Sequence, residues 1–390
     1  PLPPPLIIFV VNLMQNSMPK IPGVSLNNIV PTPESELLTG VPVFIGLAKI
    51  KNNSEPKKLT LKTQFDQYFS QIEGSQSEGY LKNAIKGFFE NGGRLCYVVV
   101  IEDTSLSLDT LEQALEASEL LENTDLICVP DIMLESNDDK VIEMQQAVLK
   151  HCEYMGNRFA ILDALNIHDV AKLDWQRQAI SSHYGALYAP WLKVENRSDF
   201  IPPCGHVAGI YANSDSTRGV HHAPANIELE DVLNLSFSLT PTEQEQLNPK
   251  NQPGINCIRS FWGRGMRVWG VHTLSTSPEW QYVNVRRLFI TFGRWANFNL
   301  ADTVFEPNTF SLWIRLEREL SVYCESLWLQ GALKGTIPQE AFYVKCDEEN
   351  NPPENRDMGQ VVAEVGLAPT IPGEFIQLLL VQSSSGISIN

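Results

Sequence analysis

Between residues 42 and 194 the chain alternates short apolar runs with longer amphipathic ones, and this alternation restricts the fold more than any other feature. Pro42 to Ala48, Leu95 to Ile101, Leu126 to Val129 and Phe159 to Leu162 read as buried strands. Between them, Tyr80 to Glu90, Leu108 to Leu121 and Val141 to Met155 carry apolar residues at helical spacing. Asn91-Gly-Gly93 supplies a stop for the first of these helices. Thr63 to Phe69 reads as a short amphipathic helix. Apolar strands alternating with helices predict an α/β layer with a mostly buried sheet, hence an α/β (α+β) fold.

The remaining chain has a different texture. Residues 196–255 read as loop-rich, and Val268 and Leu274 mark strands around a glycine-rich turn. Tyr282 to Phe298 is expected to be helical, with Arg287 and Arg294 sharing one face because they are seven apart. Trp313, Leu316, Leu320, Cys324 and Leu327 form the stripe of a further helix that ends near Gly331. Val361 to Leu367 and Phe375 to Val381 read as late strands. Residues 1–35 contain eight prolines and read as extended, because each proline denies the α region to its predecessor. Leu6 to Val11 is a strand candidate without a nearby partner, and Met18 reads as an alternative translation start.

Composition narrows the function. The longest apolar run has six residues, Leu6 to Val11, against roughly 20 for a membrane helix, so no direct membrane insertion is expected. Seven cysteines, several in apolar settings and none in a two-residue-gap pair, point to free buried thiols made in a reducing cytoplasm. The net charge of −17 disfavours nucleic acid as a partner. That charge is unevenly spread. Residues 101–150 hold thirteen acids and two bases, whereas residues 251–300 hold Arg259, Arg264, Arg267, Arg286, Arg287 and Arg294 against the single acid Glu279. Such polarity suits an assembly in which one part of a subunit meets another protein.

Catalytic patterns are weak. No phosphate-binding loop ends in Gly-Lys-Ser/Thr, and Gly263-Arg-Gly265 lacks the third glycine of a dinucleotide turn. His221 and His222 are adjacent and would point to opposite sides of a strand, so even with His206 and Asp215 they read as ordinary loop residues. There is no Gly-x-Ser-x-Gly elbow, and Glu228 with Glu230 is not diagnostic. No catalytic, cofactor-binding or metal-ligating residue is nominated.

Longer motifs are more specific. Gly205-His-Val-Ala-Gly-Ile-Tyr-Ala212, Thr217 to Asn226, Gly254 to Gly270 with His272-Thr-Leu274, and Tyr282 to Leu288 occur in order. They are followed by Val304-Phe-Glu-Pro-Asn308, Leu327 to Leu333, Ala341 to Asp347, Val365 to Pro369 and Pro372 to Phe375. Upstream lie Pro22-Gly-Val24, Gly40 to Gly46 and Phe88 to Arg94. In this order the motifs resemble contractile tail sheath proteins, over nearly the whole chain from about residue 20.

The resemblance implies a two-domain structural subunit, not an enzyme, that needs no cofactor and polymerises as stacked six-fold rings around an inner tube. Expected partners are further copies of itself, the tube protein, and baseplate and terminal cap proteins. The particle would assemble in the bacterial cytoplasm and be released or membrane-anchored. The short chain resembles sheaths of pyocins and extracellular injection systems; a true phage tail is the alternative, and a soluble α/β enzyme or binding protein the distant one. The implied layout is an extended arm over 1–35 and a mainly outer, inserted α/β domain over 36–254, with 36–45 assignable to either domain. An inner domain over 255–374 and a strand arm over 375–390 complete it. Ile21, Val24, Leu26 and Ile29, with Phe375, Ile376, Leu378 and Leu380, are the expected inter-subunit arm residues. The six arginines from Arg259 to Arg294 are expected to face the tube or the next subunit. Residues 1–17 lie outside the family pattern, and Leu6 to Val11 is expected to pack on a neighbour.

Overall fold

The structure is a computed structural model that describes residues 37–51, 55–70, 79–195, 197–249 and 252–374, with the backbone alone of 380–383 and 386–389. The expected arm residues Ile21, Val24, Leu26, Ile29, Phe375, Ile376 and Leu378 lie outside the described residues, and of Leu380 only the backbone is described.

The eight-stranded sheet uses β1 (Pro42–Leu47), β2 (Lys57–Leu59), β3 (Cys96–Ile101), β4 (Leu126–Cys128), β5 (Phe159–Asp163), β6 (Gly185–Ala189), β7 (Ile255–Phe261) and β8 (Gly265–Trp269). Their spatial order is β8-β7-β6-β5-β4-β1-β3-β2. The six inner strands run parallel, from β7 through to β3. Only the edge strands β8 and β2 are antiparallel to their neighbours. Side chains alternate between two cores, as period-two geometry requires. Phe44, Val98 and Tyr188 join one cluster, while Val43, Ile45, Val99 and Leu187 join the other.

Helices cover both faces. α1 (Leu81–Glu90) and α5 (Cys204–Arg218) lie on the first. α2 (Leu108–Ser118), α3 (Asp138–Met155) and α4 (Val170–Ala179) lie on the second, and α6 (Pro241–Leu247) sends Leu247 into that cluster. Asn91 stops α1 as expected, and Gly92 follows at φ +101°. β1 lies between β3 and β4, where successive connections diverge to opposite sides. In open α/β sheets the crevice at such a point is the usual ligand site. Here the fully buried Asp131 occupies it, accepting the Leu47 and Tyr80 N–H groups at 2.7 and 2.5 Å.

The segment expected to be loop-rich contains α5, a 15-residue helix whose first nine residues are all buried. It packs on α1 through small residues. A Cβ at Gly205 would sit 2.2 Å from the Ala84 carbonyl oxygen, and one at Gly209 would sit 2.6 Å from that of Phe88. A helix buried all round has no polar face, so periodicity could not mark it. β6 and α4 were likewise not anticipated as elements. The 254/255 border expected between domains falls where β7 enters the sheet beside β6, so the sheet joins residues from both sides of it.

After the sheet come α7 (Val283–Asn299), α8 (Phe310–Leu329) and a small antiparallel pair, β9 (Phe342–Lys345) with β10 (Glu364–Leu367). Val283 and Ile290 of α7 join the first-face core. Leu288 instead packs with Leu327, Leu333 and Ala341, and Leu312, Trp313, Leu316 and Cys346 form another small cluster. β11 (Leu380–Ser383) pairs antiparallel with β12 (Gly386–Ile389). All seven cysteines are free and buried. No described helix is long and apolar enough to cross a membrane.

Candidate functional site: the roots of the terminal segments

The chain enters its sheet through Thr39, Gly40 and Val41, and this entry is fixed by a buried charge cluster. Asp125, just before β4, accepts the Gly40 N–H at 3.0 Å and the Val41 N–H at 2.7 Å. Arg287 of α7 donates to Asp125 at 2.8 Å and grips both oxygens of Asp215, on α5, at 2.8 and 2.6 Å. The Arg287 side chain is 2% exposed and its guanidinium lies 4.9 Å from the centre of the Tyr211 ring. Tyr211 shares a 2.6 Å hydroxyl contact with Tyr188 of β6. Arg294, one face-repeat further along α7, brings a second buried guanidinium to 3.9 Å from Asp125. Two cations thus face two carboxylates. That balance makes burial tolerable, since an unpaired charge in such a site is strongly disfavoured.

Burial by itself would lower the Arg287 pKa, but Asp215 and Asp125 outweigh it, and the net shift is upward. Burial pushes the Asp215 carboxyl up, while Arg287 and the Thr39 hydroxyl oppose that shift. Gly40 has φ +68°, and a Cβ there would meet Ala212 Cα at 2.6 Å, so the entry needs glycine on both counts.

The other end of the described body leaves through Thr370 to Glu374. Glu374 approaches His272 Nε2 at 3.1 Å, and the Tyr282 hydroxyl donates to it at 3.4 Å. His272 Nδ1 lies 3.3 Å from Asn248. Beside this contact is a cavity of about 750 Å³, whose walls include Arg218, His221, Trp269, Asn284 and Ile371. His221 and His222 stand in a turn after α5, not on a strand, with ring centres 4.3 Å apart. His206 is buried in α5, and burial lowers its pKa to about 4. Among the described residues no group of His, Cys, Asp and Glu is placed to hold a metal ion.

The arginines expected to face a tube or neighbour divide. Arg287 and Arg294 turn inward within the chain, toward Asp125 and, for Arg287, Asp215, acids 162 and 72 residues from Arg287 whose proximity only the fold creates. Arg286 is also buried, its guanidinium 3.9 Å from the Tyr184 ring centre and 4.8 Å from that of Trp280. Arg259 donates to Gln244 at 2.9 Å and lies over Phe261. Arg267 bridges Glu228 and the Asn226 carbonyl. Arg264 alone of the six is exposed, at the tip of the β7–β8 hairpin.

Comparison with known proteins gives this geometry a family. Residues 107–274 match the phage tail sheath protein central domain, and residues 275–382 match the phage tail sheath C-terminal domain. The tail sheath protein of Enterobacteria phage T4 is 28% identical over 218 residues, which are 53% of this chain and 31% of that protein. That of Vibrio phage KVP40 is 26% identical over 233 residues, 59% of this chain and 32% of that protein. The chain therefore spans about a third of the length of these relatives. Among solved structures, the contracted sheath complex of the extracellular contractile injection system PVC matches with TM-score 0.75 and 29% identity, over 95% of this chain and 99% of that one. The contracted helical sheath of the anti-feeding prophage matches with TM-score 0.76 and 27% identity, over 94% of this chain and 100% of that one. A baseplate structure of the same prophage matches with TM-score 0.77 and 28% identity, over 94% and 100%. The motifs, the sheet and the two matched domains agree: the chain belongs to the phage tail sheath family.

Proposed function

We propose that the chain is a structural subunit of the contractile sheath of a phage-tail-like injection system. The observation that carries this reading is coverage in both directions. The chain aligns over nearly its whole length with sheath chains from two injection particles, and nearly the whole of those chains is used. A second reading, the tail sheath of a true contractile phage, is favoured by the T4 and KVP40 relatives.

In this reading, copies stack as six-fold rings around an inner tube, with a baseplate at one end and a cap at the other. The prophage baseplate match supports the baseplate contact. Assembly takes place in the bacterial cytoplasm. The region from α7 onward, with both terminal arms, forms the inner layer, and the sheet body forms the outer one. β7 and β8 go with the sheet to which they are hydrogen-bonded.

The terminal segments act as arms that add strands to sheets of neighbouring copies. Main-chain hydrogen bonds supply the affinity, at about 0.5–1.5 kcal/mol each. The two-stranded β9–β10 sheet, which is marginal in isolation, is a suitable acceptor. Contraction is then a rearrangement of rigid bodies tied by arms, driven by new contacts between bodies. The two roots set where bending starts.

Electron microscopy of the purified full chain, alone and co-expressed with its tube and baseplate proteins, tests the reading. Hollow cylinders with six-fold helical striation are expected. Monomers or closed dimers in the presence of tube and baseplate would overturn it. Deleting residues 375–390 should abolish cylinders while leaving the melting temperature of the body within a few degrees.

A further inference from the structure

The β7–β8 hairpin ends in Trp262-Gly-Arg-Gly265, with Gly263 at φ +69° and Gly265 at φ +72°. Trp262 is 102% exposed, and Arg264 beside it is exposed as well. Exposing a whole indole is unfavourable in a soluble monomer, and tryptophan and arginine are the residue types that most often anchor interfaces. The hairpin backbone is already satisfied. β8 is the edge strand, but Asn226 N–H donates to the Val268 carbonyl, Val268 N–H to that of Ile227, and Leu229 N–H to that of Met266. The tip therefore offers side chains rather than a free strand edge.

A surface of opposite character lies toward the other edge of the sheet. α2 connects β3 to β4 and shows Asp109, Glu112 and Glu116 on its exposed face. Glu102, Asp103 and Glu122 flank it, also exposed. Like charges at this spacing repel one another, and no Lys or Arg within the described residues pairs with Asp109, Glu112 or Glu116. Leu120, at 87% exposure, adds an apolar contact at the end of the helix.

We propose that the Trp262–Arg264 tip of one copy docks on the acidic face of α2 and Leu120 in a second copy, Trp262 covering Leu120 and Arg264 entering the carboxylates. The sign of the charge selects this occupant. The tip carries the exposed Arg264, with Arg259 behind it and Arg267 already paired with Glu228, while the chain as a whole carries −17. The two surfaces lie toward opposite edges of one sheet, so the contact is head-to-tail and repeats into a ring or helix instead of closing a dimer. The proposal rests on the sheath reading and names one contact within its polymer.

The test places a photo-crosslinking benzoylphenylalanine at position 262 of the full chain and maps inter-chain adducts by mass spectrometry. Adducts within residues 102–122 are expected. Arg264→Glu should lower their yield about fivefold, as for the loss of one exposed ion pair, and combining it with Glu112→Arg and Glu116→Arg should restore the yield. Adducts elsewhere, or none, overturn the proposal. So does an unchanged yield in Arg264→Glu that also melts like the parent. Micrographs of the same samples judge the sheath reading separately: cylinders without 102–122 adducts sink this contact alone.

Discussion

Both ends of the described body are tied down by an ion pair, but the two pairs sit in different media. At the amino-terminal root, the side chains of Arg287, Asp125 and Asp215 are each 2% exposed and joined by several hydrogen bonds. At the carboxy-terminal root, the Glu374 side chain is 25% exposed and meets a single histidine and a long tyrosine contact. A charge pair in a low-dielectric core is costly to break, because whichever partner remains is stranded. A pair near water loses little, since solvent replaces the missing partner. One root is therefore a fixed anchor that couples α7, α5 and the entry to β1. The other is a light tether beside a cavity.

The largest expected effect comes from breaking the anchor. Arg287→Met leaves Asp125 and Asp215 facing each other in the core and should destabilise the body by about 3–5 kcal/mol in denaturant unfolding. Adding Asp215→Asn to that variant should recover part of the loss. If Arg287→Met unfolds like the parent chain, the contrast between the roots is lost.

The anchor also depends on how α5 is seated. Gly209→Val pushes a branched side chain into the Phe88 carbonyl and should cost about 1–3 kcal/mol, read as a lowered melting temperature.

Asp163 sharpens the comparison through pH. It accepts the Cys204 N–H at 2.8 Å at the start of α5, and burial raises its pKa to about 7. A carboxyl raised in the folded state favours folding in its protonated form. Its contribution is full below the unfolded value, near 4, and is lost as pH rises through about 7. Asp163→Asn should therefore gain stability relative to the parent as pH rises from 5 to 7, by about 1–3 kcal/mol. A difference that stays constant over that range would show that Asp163 does not titrate there.

The smallest effect belongs to the tether. Glu374→Gln should cost less than about 1 kcal/mol, and the cost should vanish in high salt. Faster hydrogen exchange confined to residues 370–374 is the expected signature. A global loss of stability in this variant would make the two roots equivalent.

How legible all this was varied with the kind of interaction. β1, β3, β4 and β5 were readable because strands buried on both faces must be apolar throughout. α1, α2, α3, α7 and α8 were readable from their one-sided stripes. α5 was not, because its Gly205, Ala208, Gly209 and Ala212 serve close packing and erase the stripe, though Gly205 to Ala212 is also a stretch that resembles the family. The charge asymmetry was visible, yet its meaning was mixed: Arg287 and Arg294 turn inward, while Arg264 points out. Nothing along the chain pairs Arg287 with an acid 162 residues away.

By itself the sequence determined the layer class, the main alternation of elements, the burial of free thiols and the membership of the family. Each of these depends on local pattern or on motifs held in order. Only the tertiary structure decided which charges are core and which are surface, where the chain is anchored, and that Asp131 fills the crevice at the middle of the sheet. Those outcomes depend on groups brought together from distant positions, and the free energy of a charge is set by what surrounds it in space.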